Sequence, residues 1–426
     1  MERLLHYVWK YKLYTATPLA TTDGRSVQVI DPGMQNTDAG PDFFNAKIKI
    51  DGTLWAGSVE VHDKSSDWLL HHHDADKAYD SVILHITGFN DFQPVRTNGN
   101  PIPQMLLTVP ENVRRSINWL LYRETVLPCL DHIAGIAPLH IACWMEALLS
   151  ERLERKTHDI FFLLDTYQAD WNEVFYITLT RNFGFGVNND AFERLAKSLP
   201  LRCIQKQRSS HSQIEAMLFG QAGMLAEEND DHYYRLLQRE YDFLRHKFSL
   251  SPMEDFVFKN LRTRPVNFPY LKVAQLAALW VQHDTFSAIL EAGSTGEIKK
   301  YFRIPPSVYW ETHYHFRYAS PRKEKTIGEN ALNILLINTV VPMLFAYGLH
   351  NKQPEYCERA TRLLESIPPE KNTIVSTFCN AGIAVRHAGD SQALIQLKRE
   401  YCEKKKCLYC RIGFRMLKTT IGQKPI

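Results

Sequence analysis

Two carboxylates and a run of imidazoles crowd the N-terminal part of the chain. Asp42 follows a Gly40-Pro41 turn, Glu60 and His62 stand two residues apart, and His71, His72, His73, Asp74, Asp76 and His85 follow. Carboxylate and imidazole are the donor types that hold divalent cations. Asp42, Glu60 and His62 alone suit Mg²⁺ or Mn²⁺, and adding His73 (or His71) and His85 shifts the preference toward Zn²⁺ or Mn²⁺. A neutral imidazole such as His62 can also take a proton from water near pH 7. Taken one at a time, the histidines have a plainer reading, with His71, His72 and His73 a solvated helix end and His85 a hydrogen-bonded core residue.

A second constellation lies near the C-terminus. Cys402, Cys407 and Cys410 are spaced C-x4-C-x2-C, and three thiolates at that spacing hold Zn²⁺ or an iron–sulfur cluster if a fourth ligand joins them. Cys357, Cys379 and His387 are candidates for that ligand. The alternative is three thiols beside a basic run. Eight cysteines in a chain whose first twenty residues lack a secretory pattern are expected to be reduced or metal-bound rather than paired. Tyr309, Trp310, Tyr314, Phe316 and Tyr318 alternate with His313, His315 and Arg317, a composition that stacks bases or, more commonly, packs between helices. Arg262 and Arg264 stand in a proline-bounded loop that could touch phosphates or helix carbonyls. No phosphate loop, nucleophile elbow, HExxH pair or dinucleotide fingerprint is present.

The elements that must position the first cluster can be read from periodicity. A helix over 2–11 places Leu4, Leu5, Val8 and Trp9 on one side. Residues 26–30 and 46–50 alternate as strands, and Asp51-Gly52 turns the chain into a further strand over 53–62. On that strand Ser58, Glu60 and His62 share one face, and Gly57, Val59 and Val61 the other. Asp67 caps an expected helix over 67–79, and 81–87 returns as a strand with His85 opposite Val82, Leu84 and Ile86. These elements form an α/β domain expected over 1–112. From 113 to 426 the period is helical, with two lobes expected at 113–250 and 251–426, so the fold class is α+β. Ser212-x-x-Glu215 and Thr326-x-x-Glu329 read as capping boxes. The apolar stretch 331–348 contains Asn333, Asn338 and Pro342 and reads as a buried, kinked helix rather than a membrane span.

Pro41-Asp42, seventeen intervening residues and Glu60-Val61-His62 together resemble the PD-(D/E)XK signature of the restriction-endonuclease-like nuclease superfamily. The hairpin, helix and following strand are similar to that superfamily's core, over the first quarter of the chain. The resemblance implies that Asp42 and Glu60 bind Mg²⁺ or Mn²⁺, that His62 stands where a water-activating Lys is usual, and that Glu2 matches an auxiliary glutamate. Lys47 or Lys64 would supply the displaced positive charge. Some nucleases of that superfamily carry iron–sulfur clusters, which bears on Cys402, Cys407 and Cys410. The whole chain also resembles an uncharacterised bacterial family classed as a domain of unknown function, through Asp38-Ala39-Gly40-Pro41-Asp42-Phe43, Gly57-Ser58-Val59-Glu60-Val61-His62, Ser66-Asp67-Trp68 and residues 402–413.

Charge is polarised. Residues 1–115 carry 11 Lys/Arg against 14 Asp/Glu, whereas 381–426 carry 10 against 3. An acidic head suits a cation and a basic tail an anionic partner, although a solvated basic helix has the same composition. The expected protein is cytoplasmic, with no membrane partner. The leading functional expectation is a metal-dependent nucleic-acid phosphodiesterase. The alternatives are a non-catalytic nucleic-acid- or protein-binding module on a nuclease-like fold, and a helical interaction scaffold.

Overall fold

Alternating apolar residues along 43–64 produce two long antiparallel strands, β4 (Phe43–Ile50) and β5 (Thr53–Lys64), around which the N-terminal unit is built. The computed structural model describes residues 2–14, 18–36, 39–122, 127–253, 258–259, 264–281 and 285–422. Asp38 and residues 261–263, including Arg262, lie outside them. Before β4 come α1 (Glu2–Lys10), β1 (Leu19–Ala20), β2 (Ser26–Asp31) and β3 (Met34–Gln35). After β5 come α2 (Asp67–Leu70), β6 (Val82–Phe89) and β7 (Gln104–Leu106). The sheet order is β1-β2-β4-β5-β6-β7, with β3 beside β4. β5 and β6 are parallel, so the segment between them must cross over the sheet.

That crossover departs from the expected helix. Only Asp67–Leu70 is α-helical, and a 3-10 turn at Lys77–Ser81 precedes β6. Between them His72 adopts a left-handed backbone (φ 60°), a conformation His tolerates better than most residues. Gly57 allows β6 to approach at this end of the crossover. A Cβ there would lie 2.5 Å from Ile83 Cγ2 and 2.7 Å from the Ser81 carbonyl oxygen.

The chain divides into two units, Met1–His140 with Arg399–Ile426, and Ile141–Lys398. The sheet unit thus extends past the boundary expected at 112 and takes in the C-terminal residues. The reason is shared burial. Val113, Ile117 and Leu120 of α3 (Glu111–Tyr122) and Met416 and Leu417 of the C-terminal helix Arg411–Gly422 join one core with Leu5, Val8, Trp9, Val59, Val61, Leu84 and Ile86.

The helical unit has one continuous core rather than the two lobes expected. It draws on helices Trp171–Asn182, His211–Gln221, Pro269–Val281 and Val341–His350. Neither capping box forms. Ser210 caps the helix His211–Gln221 by accepting from Gln213 N–H, Gly328 occupies the second cap, and Glu329 pairs with Lys299 and Arg303. Glu215 instead lies buried in the core. Glu329–His350 is, among the described residues, the one helical stretch long and apolar enough to cross a bilayer, and two-thirds of its most apolar window is buried. Its expected irregularity at Pro342 takes the form of a π-turn, Leu336–Val340, just before the proline. Trp310 and Phe316 are buried and pack on Phe219, which fits the packing reading of that aromatic run; Tyr318 is exposed.

Candidate metal centre

β5 carries the two residues around which the centre forms. Val59 and Val61 enter the core, and the intervening Glu60 and His62 are buried with side chains in a polar cluster. Asp42, just before β4, is locked to β5 by a reciprocal pair of bonds. Asp42 N–H donates to Glu60 Oε2 (2.9 Å), and Val61 N–H donates to Asp42 Oδ2 (3.0 Å). α1 adds His6, whose Nε2 lies 3.1 Å from Asp42 Oδ2, and Glu2, one helical turn earlier and 4.0 Å from the same imidazole nitrogen. Burial alone would lower the His6 pKa, but the hydrogen bond and charge of Asp42 carry it above its ordinary value. Glu60 is pushed well above the carboxylate range, first by burial and then by the neighbouring Asp42 charge.

On its other side Glu60 meets imidazoles. Its Oε1 lies 3.4 Å from His62 Nε2 and 3.4 Å from His73 Nε2, and His62 Nε2 is 3.2 Å from His71 Nδ1. The left-handed turn at His72 makes this possible, since it directs His71 and His73 toward His62 while His72 is exposed. Trp68 and Tyr79 wall the pocket. The Trp68 ring stands edge-on to His73 and His85 at 5.3 and 5.4 Å, and Tyr79 stacks on His73 at 3.7 Å. Trp68 is itself fixed by donating Nε1–H to the Val95 carbonyl (3.1 Å).

A chain of hydrogen bonds behind His62 sets its tautomer. Gln104 donates its amide to Asn90 Oδ1, so its Oε1 accepts from His85 Nδ1 (3.2 Å). His85 must then accept at Nε2 from His62 Nδ1–H, 2.9 Å away. That leaves the His62 Nε2 lone pair facing Glu60 and His71. Burial, followed by the neighbouring His85 and His73, drives the His62 pKa down to about 2, so the ring is neutral, the form that binds metal. Burial likewise lowers His85, to about 4.

His62, His71 and His73 offer nitrogens within 4.8 Å of one another, the one such group of metal-ligating residues among those described. His73 Nε2 is buried without a hydrogen-bond partner. A buried imidazole nitrogen left so, beside a buried carboxylate, is what a cation would satisfy. The fitting ligand set is Glu60, His62, His71 and His73, a mixed nitrogen–oxygen set suited to Zn²⁺ or Mn²⁺ more than Mg²⁺.

Of the residues expected at the site, Asp42, Glu60, His62, His73, His85 and Glu2 all gather there, in different places. His85 stands behind His62 and orients it rather than facing the triad. With Nδ1 donating to His85, His62 presents Nε2 toward Glu60, His71 and His73, where it could hold a metal ion. Lys47 and Lys64 are exposed. His6 and Gln104 escaped sequence reasoning. The Glu2-x3-His6 helical spacing was a usable signal for the first, and nothing local marks Gln104. A cavity of about 460 Å³ lined by Arg25, Trp55, Arg96 and Asn98 shares only Gln104 with this network.

The cysteines fall differently from expectation. Cys357, Cys379 and His387 belong to the helical unit, whereas Cys402, Cys407 and Cys410 belong with the sheet unit, as does Cys129.

No curated protein and no solved structure matches the chain. A family model described as "Protein of unknown function (DUF2851)" matches residues 2–373, which takes in the Asp42, Glu60 and Trp68 segments and stops short of residues 402–413. The chain belongs to this DUF2851 family.

Proposed function

We propose that the sheet unit is a divalent-metal-dependent phosphodiesterase that acts on nucleic acid. The observation that carries this reading is Glu60, which joins a carboxylate half-site (Glu2, Asp42, with His6) to an imidazole half-site (His62, His71, His73). A metal held by Glu60, His62, His71 and His73 would polarise a phosphoryl oxygen and lower the pKa of a bound water. His71 is exposed and Glu2 and Asp42 are partly so, which leaves a side open to water and substrate. His6, whose protonated form Asp42 favours, stands in for the cationic lysine of the resembled signature and would stabilise charge on the phosphate. The lysines and arginines of residues 399–422 would meet the nucleic-acid backbone and make affinity fall with salt.

The experiment is cleavage of single- and double-stranded DNA and RNA with Mn²⁺, comparing wild type with Glu60→Ala of matched folded content. Loss of Mn²⁺-dependent cleavage in the variant is expected. Equal cleavage by both proteins would overturn the assignment. A second reading, a binding module without turnover, is favoured by His62 in place of lysine. It predicts nucleic-acid binding that survives chelator, with no cleavage of any substrate form.

A further inference from the structure

A cavity of about 360 Å³ lies within the helical unit, and its charges are unevenly matched. The helix Pro138–Thr166 lines one side, and its period puts Arg152, Lys156, Ile160 and Leu163 on one face. Lys156 opens on the cavity and also lines a narrow recess beside it, together with the buried Arg152. Arg152 Nε–H donates to Gln392 Oε1, a neutral amide. Lys156 is half-buried and, among the described residues, makes no hydrogen bond or ion pair. The two acids of the cavity leave it so. Glu193 is shared between Arg181 (Nε to Oε2, 2.9 Å) and Lys197 (Nζ to Oε1, 2.6 Å), so one carboxylate answers two cations. Asp159 is exposed.

Neutral polar groups complete the lining. The helix Glu329–His350 passes the cavity at its π-turn, Leu336–Val340, a rare geometry that recurs at functional sites. Asn182 donates its amide to the Asn338 carbonyl (3.0 Å) and to Thr339 Oγ1 (2.9 Å), which satisfies the loosened backbone there. Thr178 also lines the cavity, and its Oγ1 is buried without a hydrogen-bond partner. Ile160, Leu163, Ile177 and Pro342 make the remaining wall apolar.

We propose that this cavity binds a small amphipathic anion, with a carboxylate or phosphate head on Lys156 and an apolar body against Ile160, Leu163 and Ile177. A half-buried ammonium with no counter-charge is costly, and an anion beside it removes that cost. The orphaned Thr178 hydroxyl supplies a donor in the same space. The volume lies in the range of small-molecule sites, about 300–1,000 Å³. Titration agrees with the geometry: burial first, and then Arg152, Arg181 and Arg155, hold the Lys156 pKa down to about 7, the response of an amine that faces cations and no anion. The site is independent of the histidine cluster and of the phosphodiesterase reading, which concern the sheet unit.

The test is titration calorimetry of the full chain with octanoate, octyl phosphate, octanol and octylamine, each below its micelle-forming concentration. Chelator is present throughout, so that metal at the histidines takes no part. Saturable binding of octanoate or octyl phosphate is expected, at least about 10-fold tighter than octanol, a modest return for one partly desolvated charge pair. The tighter of the two anions identifies the head. Lys156→Met should lose that advantage and bind octanol as wild type does. No saturable binding of either anion, equal affinity for octanol or octylamine, or wild-type anion affinity in a folded Lys156→Met would overturn the proposal. Should Lys156→Met fail to fold, amine acetylation of the wild type read by mass spectrometry decides. Protection of Lys156 by the bound anion is the expected result, and labelling that is indifferent to the anion overturns the proposal.

Discussion

Among the described residues two glutamates are buried, one in each unit, and their surroundings could hardly differ more. In the helical unit Glu215 is fully buried, yet Tyr233 Oη–H, Trp310 Nε1–H and Ser307 Oγ–H all donate to its carboxyl oxygens. Neutral donors have satisfied it. In the sheet unit Glu60 Oε2 accepts from the backbone N–H of a second acid, Asp42, and its other oxygen looks at imidazole nitrogens, one of which has no hydrogen-bond partner. Burying a carboxyl is tolerable when it keeps its proton or is ringed by donors, and a cation can take the place of that proton where carboxyls and imidazole lone pairs face one another. The comparison separates an acid satisfied by neutral donors from one set beside a second acid and imidazoles that could hold a cation.

The largest expected effect lies at Glu60. Glu60→Ala removes the residue shared by both half-sites and should lower Mn²⁺ or Zn²⁺ affinity by more than about 100-fold, beyond what loss of an outer-shell partner typically costs. Titration calorimetry checks this. Glu215→Ala should leave metal binding unchanged and destabilise the helical unit by about 3 kcal/mol, because three donors, among them the buried Trp310 indole, lose their acceptor. Chemical denaturation measures it. If Glu215→Ala weakened metal binding, or Glu60→Ala changed only stability, the contrast between the two acids would fail.

The acids should also differ in their response to pH. Burial raises the Glu215 pKa from 4.5 to about 7. Between those values the folded protein keeps a proton that the unfolded chain has released. Stability contributed at Glu215 therefore falls as pH rises through that window, by roughly 3 kcal/mol at most, and is level above it. Glu215→Gln, which mimics the neutral acid, should flatten the denaturation free energy between pH 4.5 and 7. An unchanged slope would contradict the assignment.

The smallest expected effect is at Gln104. Gln104→Leu removes the acceptor that orients His85 and, through it, His62. Metal affinity should fall about 10- to 100-fold, the usual cost of an outer-shell partner, with the metal-free protein still folded. Equal affinity would mean that the tautomer chain has no role in presenting His62 Nε2.

Local pattern carried part of this arrangement. The α+β class was legible, because a period of two along 46–62 gives way to helical spacing after α3. The same alternation placed Glu60 and His62 on one face with Val59 and Val61 in the core. What local pattern could not carry was tertiary competition. Residues 67–79 read as a helix, but the left-handed His72 breaks it and turns His71 and His73 to one side, which brings both near His62. Glu215 matched a capping box three residues after Ser212, yet donors from 18 to 95 residues away claimed it. Gln104 matters only through partners distant in the chain, His85 and Asn90, and no spacing rule reaches that far.

Metal binding by the full chain tests the central claim most directly. Titration of the chelator-treated protein with Mn²⁺ and with Zn²⁺, beside His73→Ala, should give one saturable site in wild type that the variant loses. Identical isotherms for the two, or no saturable binding by the protein with its histidines intact, would contradict the account.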